Sequence, residues 1–379
     1  MRLSTIDAIA SHDGEPLGPN LSMILINATV LTPTMSDSSP SQQPAPPKPR
    51  VTWVDVAKGI SILLVVLYHV WNALNNRSDR VIIPAVWADV IDPVLTFVRM
   101  PLFFFVSGLF IGKSVQKNAW PFIKDKLAGI AYPYVLWTII HATIMIGLSG
   151  VIHAKSEITF RQLPYLLAIK PYAQYWFLYV LFLALMLYLL LTKLKIPSLA
   201  IALFAVLFFY FGDRALLAMH LTWYGPAYQL RTFFVYMALG SIFSPWILSQ
   251  GHRLPTYSLV ALVIFPMGAL FAAVSYQLTR DAGLGPMLAL GGVASLLSLA
   301  ILLDRFKLAS VFRACGARSL PIFVAHVIAL AAMRSLLFKL GVTDFYTHLV
   351  ASFLAGVVLP YLFAMLVDHL RLRYVFTAR

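Results

Sequence analysis

Apolar runs of about twenty residues recur ten times after residue 50. Each is long enough to cross the roughly 30 Å hydrocarbon core of a bilayer as one helix. They fall near 53–74, 85–112, 127–149, 171–191, 197–212, 227–246, 256–278, 284–303, 319–339 and 346–368. The second holds Pro93 and Pro101, either of which bends a helix, and the fifth is the shortest. The runs are continuous rather than alternating, which excludes a β-barrel. The fold class is therefore all-α, a polytopic membrane protein with about ten transmembrane helices. Composition forces the same answer, since 60% of residues are hydrophobic and only 12% charged. Soluble domains carry roughly 25% charged residues, and no single water-enclosed core hides this much apolar surface.

Residues 1–50 stand apart from the membrane domain, which occupies 51–379. The stretch Leu21 to Leu31 is too short to span and is broken by Asn27. Only Arg2 precedes it, against Asp7, Asp13 and Glu15, so it lacks the basic start of a secretory signal. Ser36 to Arg50 is polar and proline-rich, the composition of a disordered tail. Met35 is an alternative start, which would make 1–34 a start-site artefact.

The net charge of +14 is spread over short connectors, with no basic stripe interleaved with aromatics, so nucleic acid is not an expected partner. With the N-terminus inside, the inner segments carry Lys48, Arg50, Lys113, Lys117, Lys124, Lys126, Lys193, Lys195, Arg253, Arg305, Lys307, Arg313, Arg318, Arg371, Arg373 and Arg379. The outer segments carry half as many: Arg77, Arg80, Lys155, Arg161, Lys170, Arg214, Arg280 and Lys339. This excess places both termini in the cytoplasm, as an even number of spans requires. The single cysteine, Cys315, excludes an internal disulfide and a thiolate metal cluster.

Charged groups inside a bilayer cost about 3 kcal/mol each on insertion scales, so each needs a partner or water. Lys58, Arg99, Arg231 and Arg334 lie within or at the mouths of runs. In the first run, Lys58 and His69 differ by only about 20° in azimuth, and Asp55 lies within roughly 60° of both. The three share one stripe that must face protein or water, with His69 about 16 Å deeper than Lys58. The stripe marks either a helix interface or a reactive face whose imidazole is the best available general base at neutral pH. In the second run Asp92 and Arg99 are placed to pair; otherwise Arg99 is free to fork onto an anion. Ser107 and Gly108 in that run permit close packing. In the ninth, Ser319 and His326 share a face behind Gly316, and His326 is either a packed core histidine or a second functional one. His141, in the third, has no patterned partner and reads as core, while Arg334 reads as snorkelling.

No P-loop, GxSxG, HExxH or metal-ligand cluster occurs, so no metal is expected. The ordered elements instead resemble the acyltransferase 3 family of multi-spanning acyltransferases. Lys58 and His69 match its first-helix basic residue and histidine, within WVDVAKGISILLVVLYHVW, a string most similar to the fucose 4-O-acetylase-like branch. Arg99, Pro101, Leu102, Phe103, Phe104, Ser107 and Gly108 resemble its RxPLFFxxSG element. Lys124, Lys126, Pro133 and Tyr134 match the basic loop and PY-containing third helix, with lysines where many members have arginines. YWFLYVLF, from Tyr175 through Trp176 to Phe182, matches its aromatic element, and Gly316, Ser319 and His326 the late G-x-x-S…H element.

The resemblance implies a bacterial cytoplasmic (inner) membrane enzyme with no permanently bound cofactor. Acetyl-CoA, or another acyl-CoA, would be the donor, entering from the cytoplasm, and the acceptor a carbohydrate or glycolipid hydroxyl outside. Lys58, Lys124 and Lys126 would receive the CoA phosphates. His69, Arg99 and His326 would carry the chemistry, supported by Asp55, Asp92, Ser107, Ser319 and Trp176. Direct transfer with His69 as base and a two-step route through an acyl-histidine both fit. Acceptor choice is expected in outer loops such as 150–170 and 213–227. The competing classes are a transporter or flippase for a lipid-linked glycan or small anion, and a non-catalytic scaffold. Against the first stands the absence of a repeated pair of broken helices.

Overall fold

The computed structural model describes residues 51–116, 118–147, 158–221, 223–280 and 283–378. The expected tail at 1–50, with Lys48 and Arg50, lies outside the described residues, as do Lys117, Lys155 and Arg379. Ten helical spans follow one another: α1 (Thr52–Asn75), α2 (Trp87–Val115), α3 (Ala119–Gly147), α4 (Phe160–Lys193), α5 (Ser198–Ala218), α6 (Gly225–Arg253), α7 (Thr256–Ser275) and α8 (Leu284–Arg305). After a short helix, α9 (Ser310–Ala317), come α10 (Ser319–Lys339) and α11 (Phe345–His369). No strand occurs among the described residues. Leu199, Phe265 and many other large side chains turn outward, as a protein solvated by lipid requires.

Two differences from the expected spans have local causes. The fifth does not stop at residue 212 but runs to Ala218, because Asp213 pairs with Arg231 of α6 at 3.0 Å. The pair removes the charge that made the sequence look like a helix end. The second span opens on a π-helical turn, Trp87–Ile91, just before Pro93. A second such turn, Leu127–Ala131, precedes Pro133 in α3. A proline ring collides with the carbonyl four residues back, and a widened turn relieves that collision.

The helices meet where side chains are smallest. A Cβ on Gly316 would strike the Asp55 carbonyl oxygen, and one on Gly59 the Phe312 carbonyl oxygen, so α9 lies backbone to backbone on the start of α1. α2 packs along α6, and α10 along both α1 and α11. Hydrogen bonds reinforce these contacts, including Ser244 Oγ to Leu109 O at 2.5 Å and Tyr188 Oη to Ser241 Oγ at 2.8 Å. After α11 the chain hooks back onto α3. Trp137 Nε1 donates to Val375 O at 2.9 Å, and the indole stacks on Phe376.

Candidate active site

α1 carries the stripe read from its sequence. At its first turns Lys58 Nζ lies 3.7 Å from Asp55 Oδ1, with the carboxylate buried and the lysine side chain 38% exposed. Lys58 lines a cavity of about 400 Å³ that also takes in Lys126, Ser107, Ser114 and Ser319. Five helices thus converge there: α1, the end of α2, the starts of α3 and α10, and α4 through Phe177 and Leu181. Lys126 Nζ is 2.9 Å from Asp125. Lys124 does not join them. It lies 5.1 Å from the Trp120 ring centre and faces another cleft, with Tyr132 and Ala378. Two residues along a helix turn a side chain by about 200°, so Lys124 and Lys126 cannot share one cavity.

Deeper, His69 of α1 meets His326 of α10, edge to face, with ring centroids 4.8 Å apart. His69 Nδ1 is 2.8 Å from Val65 O, and His326 Nδ1 is 2.7 Å from Phe323 O. A carbonyl oxygen only accepts, so each Nδ1 carries the proton and each Nε2 keeps its lone pair. The Nε2 of His326, fully buried, has no hydrogen-bond partner among the described residues. Two basic nitrogens are therefore brought together with their tautomers fixed by the backbone. The cavity ends one ring short of them: Phe323 lines it and touches the His326 ring at 5.9 Å.

Arg99 does not pair with Asp92. Its guanidinium carbon lies over Tyr68, 3.4 Å from the ring centre, and the group donates to Thr96 Oγ1 at 3.0 Å. Tyr68 in turn meets the His69 ring edge on, at 5.3 Å, so a cation sits one ring away from the imidazole pair. Asp92 Oδ1 is buried without a hydrogen-bond partner. A guanidinium held by a π face rather than a carboxylate keeps donors for a ligand anion. Ser107 Oγ is spent on Phe103 O at 2.9 Å, which leaves its lone pairs to the cavity.

One histidine that the sequence consigned to the core lies in the same region. His141 is buried, edge on to Tyr172 and Tyr175, and its Nδ1 has no partner among the described residues. Tyr175 Oη donates to Val324 O at 2.8 Å, two residues before His326. The contact joins elements far apart in the chain, and no spacing rule reveals it. Trp176 is placed elsewhere, at a separate cleft of about 300 Å³. No group of three metal-ligating side chains occurs among the described residues.

A sequence model of a family described as an acyltransferase domain matches residues 51–367. No curated protein and no solved structure matches the chain.

Proposed function

Since the chain belongs to the acyltransferase 3 family, a family of membrane acyltransferases, we propose that it moves an acyl group from cytoplasmic acyl-CoA to a carbohydrate or glycolipid hydroxyl outside. Acetyl is the proposed group, and the bacterial inner membrane the proposed location, with both termini inside.

The carrying observation is a cavity with lysines at one end and two imidazoles, each with a free Nε2, just beyond the other. About 13 bonds separate the inner phosphate of CoA from its sulfur, an extended reach of roughly 16 Å at ordinary bond lengths. The helical rise from Lys58 to His69 is also about 16 Å. Lys58 and Lys126 would hold the phosphates, with Lys124 outside the cavity as a peripheral attraction. The Phe-lined walls suit the pantetheine arm, and movement of Phe323 would admit the thioester to the histidines.

In the proposed reaction His69 Nε2 takes the proton of the acceptor hydroxyl as its oxygen attacks the thioester carbonyl. Arg99 stabilises the oxyanion of the tetrahedral intermediate. Collapse breaks the C–S bond and forms the ester, and the departing thiolate recovers the proton as CoA–SH. His326, in ring contact, shares the positive charge on His69 while it exists.

Purified protein given radiolabelled acetyl-CoA and a glycan acceptor should release CoA and label the glycan. A transporter or scaffold would leave the thioester intact, and that result would end the enzyme reading.

A further inference from the structure

The cleft at Trp176 is built from two segments distant in sequence. Tyr165 to Pro171 precede the long part of α4, and Trp223 to Gln229 open α6. Because α4 and α6 start at the end of the bundle opposite Lys58, the cleft lies across the membrane from the lysines. Its volume of about 300 Å³ is at the low end for small-molecule sites, enough for one or two sugar rings. Five of its lining side chains can hydrogen-bond: Tyr165, Lys170, Trp176, Trp223 and Gln229. Among the described residues, none of the five spends that capacity on a side-chain hydrogen bond or an ion pair within the chain.

Aromatic residues at a bilayer surface often serve only as anchors. Trp176 does not fit that role. It is half-buried and stacked on Phe233 at 5.7 Å, which stacks on Phe104 at 5.1 Å. From Trp176 a line of rings leads inward through Phe177 (6.4 Å) and Phe323 (5.2 Å) to His326 (5.9 Å). Phe177 and Phe323 also line the Lys58 cavity, so these two rings form a partition approached from both ends of the bundle.

We infer that this cleft is the acceptor site and that it takes an anionic sugar, a pyranose ring laid against the indoles with its carboxylate or phosphate on Lys170. The electron-rich indole faces attract the weakly positive C–H face of a sugar ring. Indole N–H, phenol and amide groups match ring hydroxyls. Among the described residues no carboxylate lines the cleft and the Lys170 ammonium has no partner, which selects an acidic ligand. The assignment as acceptor rests on the acyl-transfer reading; the binding chemistry does not.

The test is saturation-transfer NMR on the full-length protein in micelles, without acyl-CoA, using glucuronic acid, glucose 1-phosphate, glucose and glycerol 3-phosphate. Either or both anionic sugars should bind, with glucose about tenfold weaker, the loss of one charge-assisted contact. Glucuronic acid against glucose 1-phosphate separates a uronic-acid glycan from a sugar phosphate. Trp223→Ala should abolish binding, and Lys170→Gln should reduce the anionic sugars to the level of glucose. Both side chains are exposed, so neither change threatens folding. Glycerol 3-phosphate binding as well as the sugars would make this a lipid-headgroup site and overturn the inference. Binding indifferent to both substitutions would overturn it too. If sugars bind but acetyl-CoA is never consumed, the enzyme reading fails alone; if acetyl-CoA is consumed and no sugar binds, the cleft fails alone.

Discussion

His69 and His326 touch ring to ring at 4.8 Å, and each is anchored through Nδ1 to a carbonyl of its own helix. The arrangement separates two jobs within each imidazole, with one nitrogen holding position and the other left basic. Substitutions that spare the first job and remove the second are therefore informative. An asparagine amide reaches roughly where Nδ1 sits, so His326→Asn should keep the anchor and lose the lone pair. His69→Gln should lose the base.

Both variants should insert and melt like the parent while acyl transfer falls by about 10²–10⁴-fold, the usual contribution of a general base. Labelled-acetate transfer set against a melting curve in detergent makes the comparison. Normal transfer by His69→Gln would remove the proposed base.

Arg99 should be intolerant of lysine. Its planar guanidinium lies against Tyr68 at 3.4 Å, and an ammonium neither stacks nor forks in that way. Arg99→Lys should lower turnover by about 10²-fold, in the range for a lost oxyanion donor, with little change in KM. A pure KM effect would mean that Arg99 binds the donor rather than the transition state.

How much of this was legible in the chain depends on the range of each contact. The ten spans and the Asp55–Lys58–His69 stripe follow from length and helical period alone. Azimuth placed Asp92 near Arg99 but could not show that Tyr68 would claim the guanidinium. The same helical period separates Lys124 from Lys126, two residues and about 200° apart. The end of the fifth span depended on Arg231, eighteen residues beyond Asp213 on the next helix. The Phe323 partition and the place of His141 depend on how α3, α4 and α10 pack, which local pattern does not encode.

The lysines should divide by position. Lys58→Gln and Lys126→Gln each remove a cation from the cavity and should raise the acyl-CoA KM by about tenfold at low salt, less at high salt. Lys124→Gln, facing the other cleft, should change it little. Equal effects from all three would place the CoA phosphates outside the cavity.

Gly316→Ala should damage the donor end without touching a reacting group. Its new methyl would meet the Asp55 carbonyl oxygen, and a backbone cannot swing aside as a side chain does. Overpacking of this kind costs about 1–3 kcal/mol. A lower melting temperature and a raised acyl-CoA KM should therefore appear together, because Asp55 positions Lys58. Gly112→Ala, where a Cβ meets nothing within 4 Å, should be silent.

Orientation decides whether the lysine cavity can reach CoA at all, and the lone cysteine makes it measurable. Cys315 is buried, and desolvation raises its thiol above the ordinary range, so it should resist maleimide and serve as a quiet background. Ser78, in the turn after α1, and Leu372, after α11, are exposed at opposite ends of the bundle. With both termini inside, an impermeant maleimide should label Ser78→Cys in intact cells, and Leu372→Cys only after permeabilisation. The reverse pattern would put Lys58 and Lys126 outside, away from acyl-CoA, and the aromatic cleft inside. The histidine pair would still be there, but the donor would have no route from the cytoplasm to the lysines.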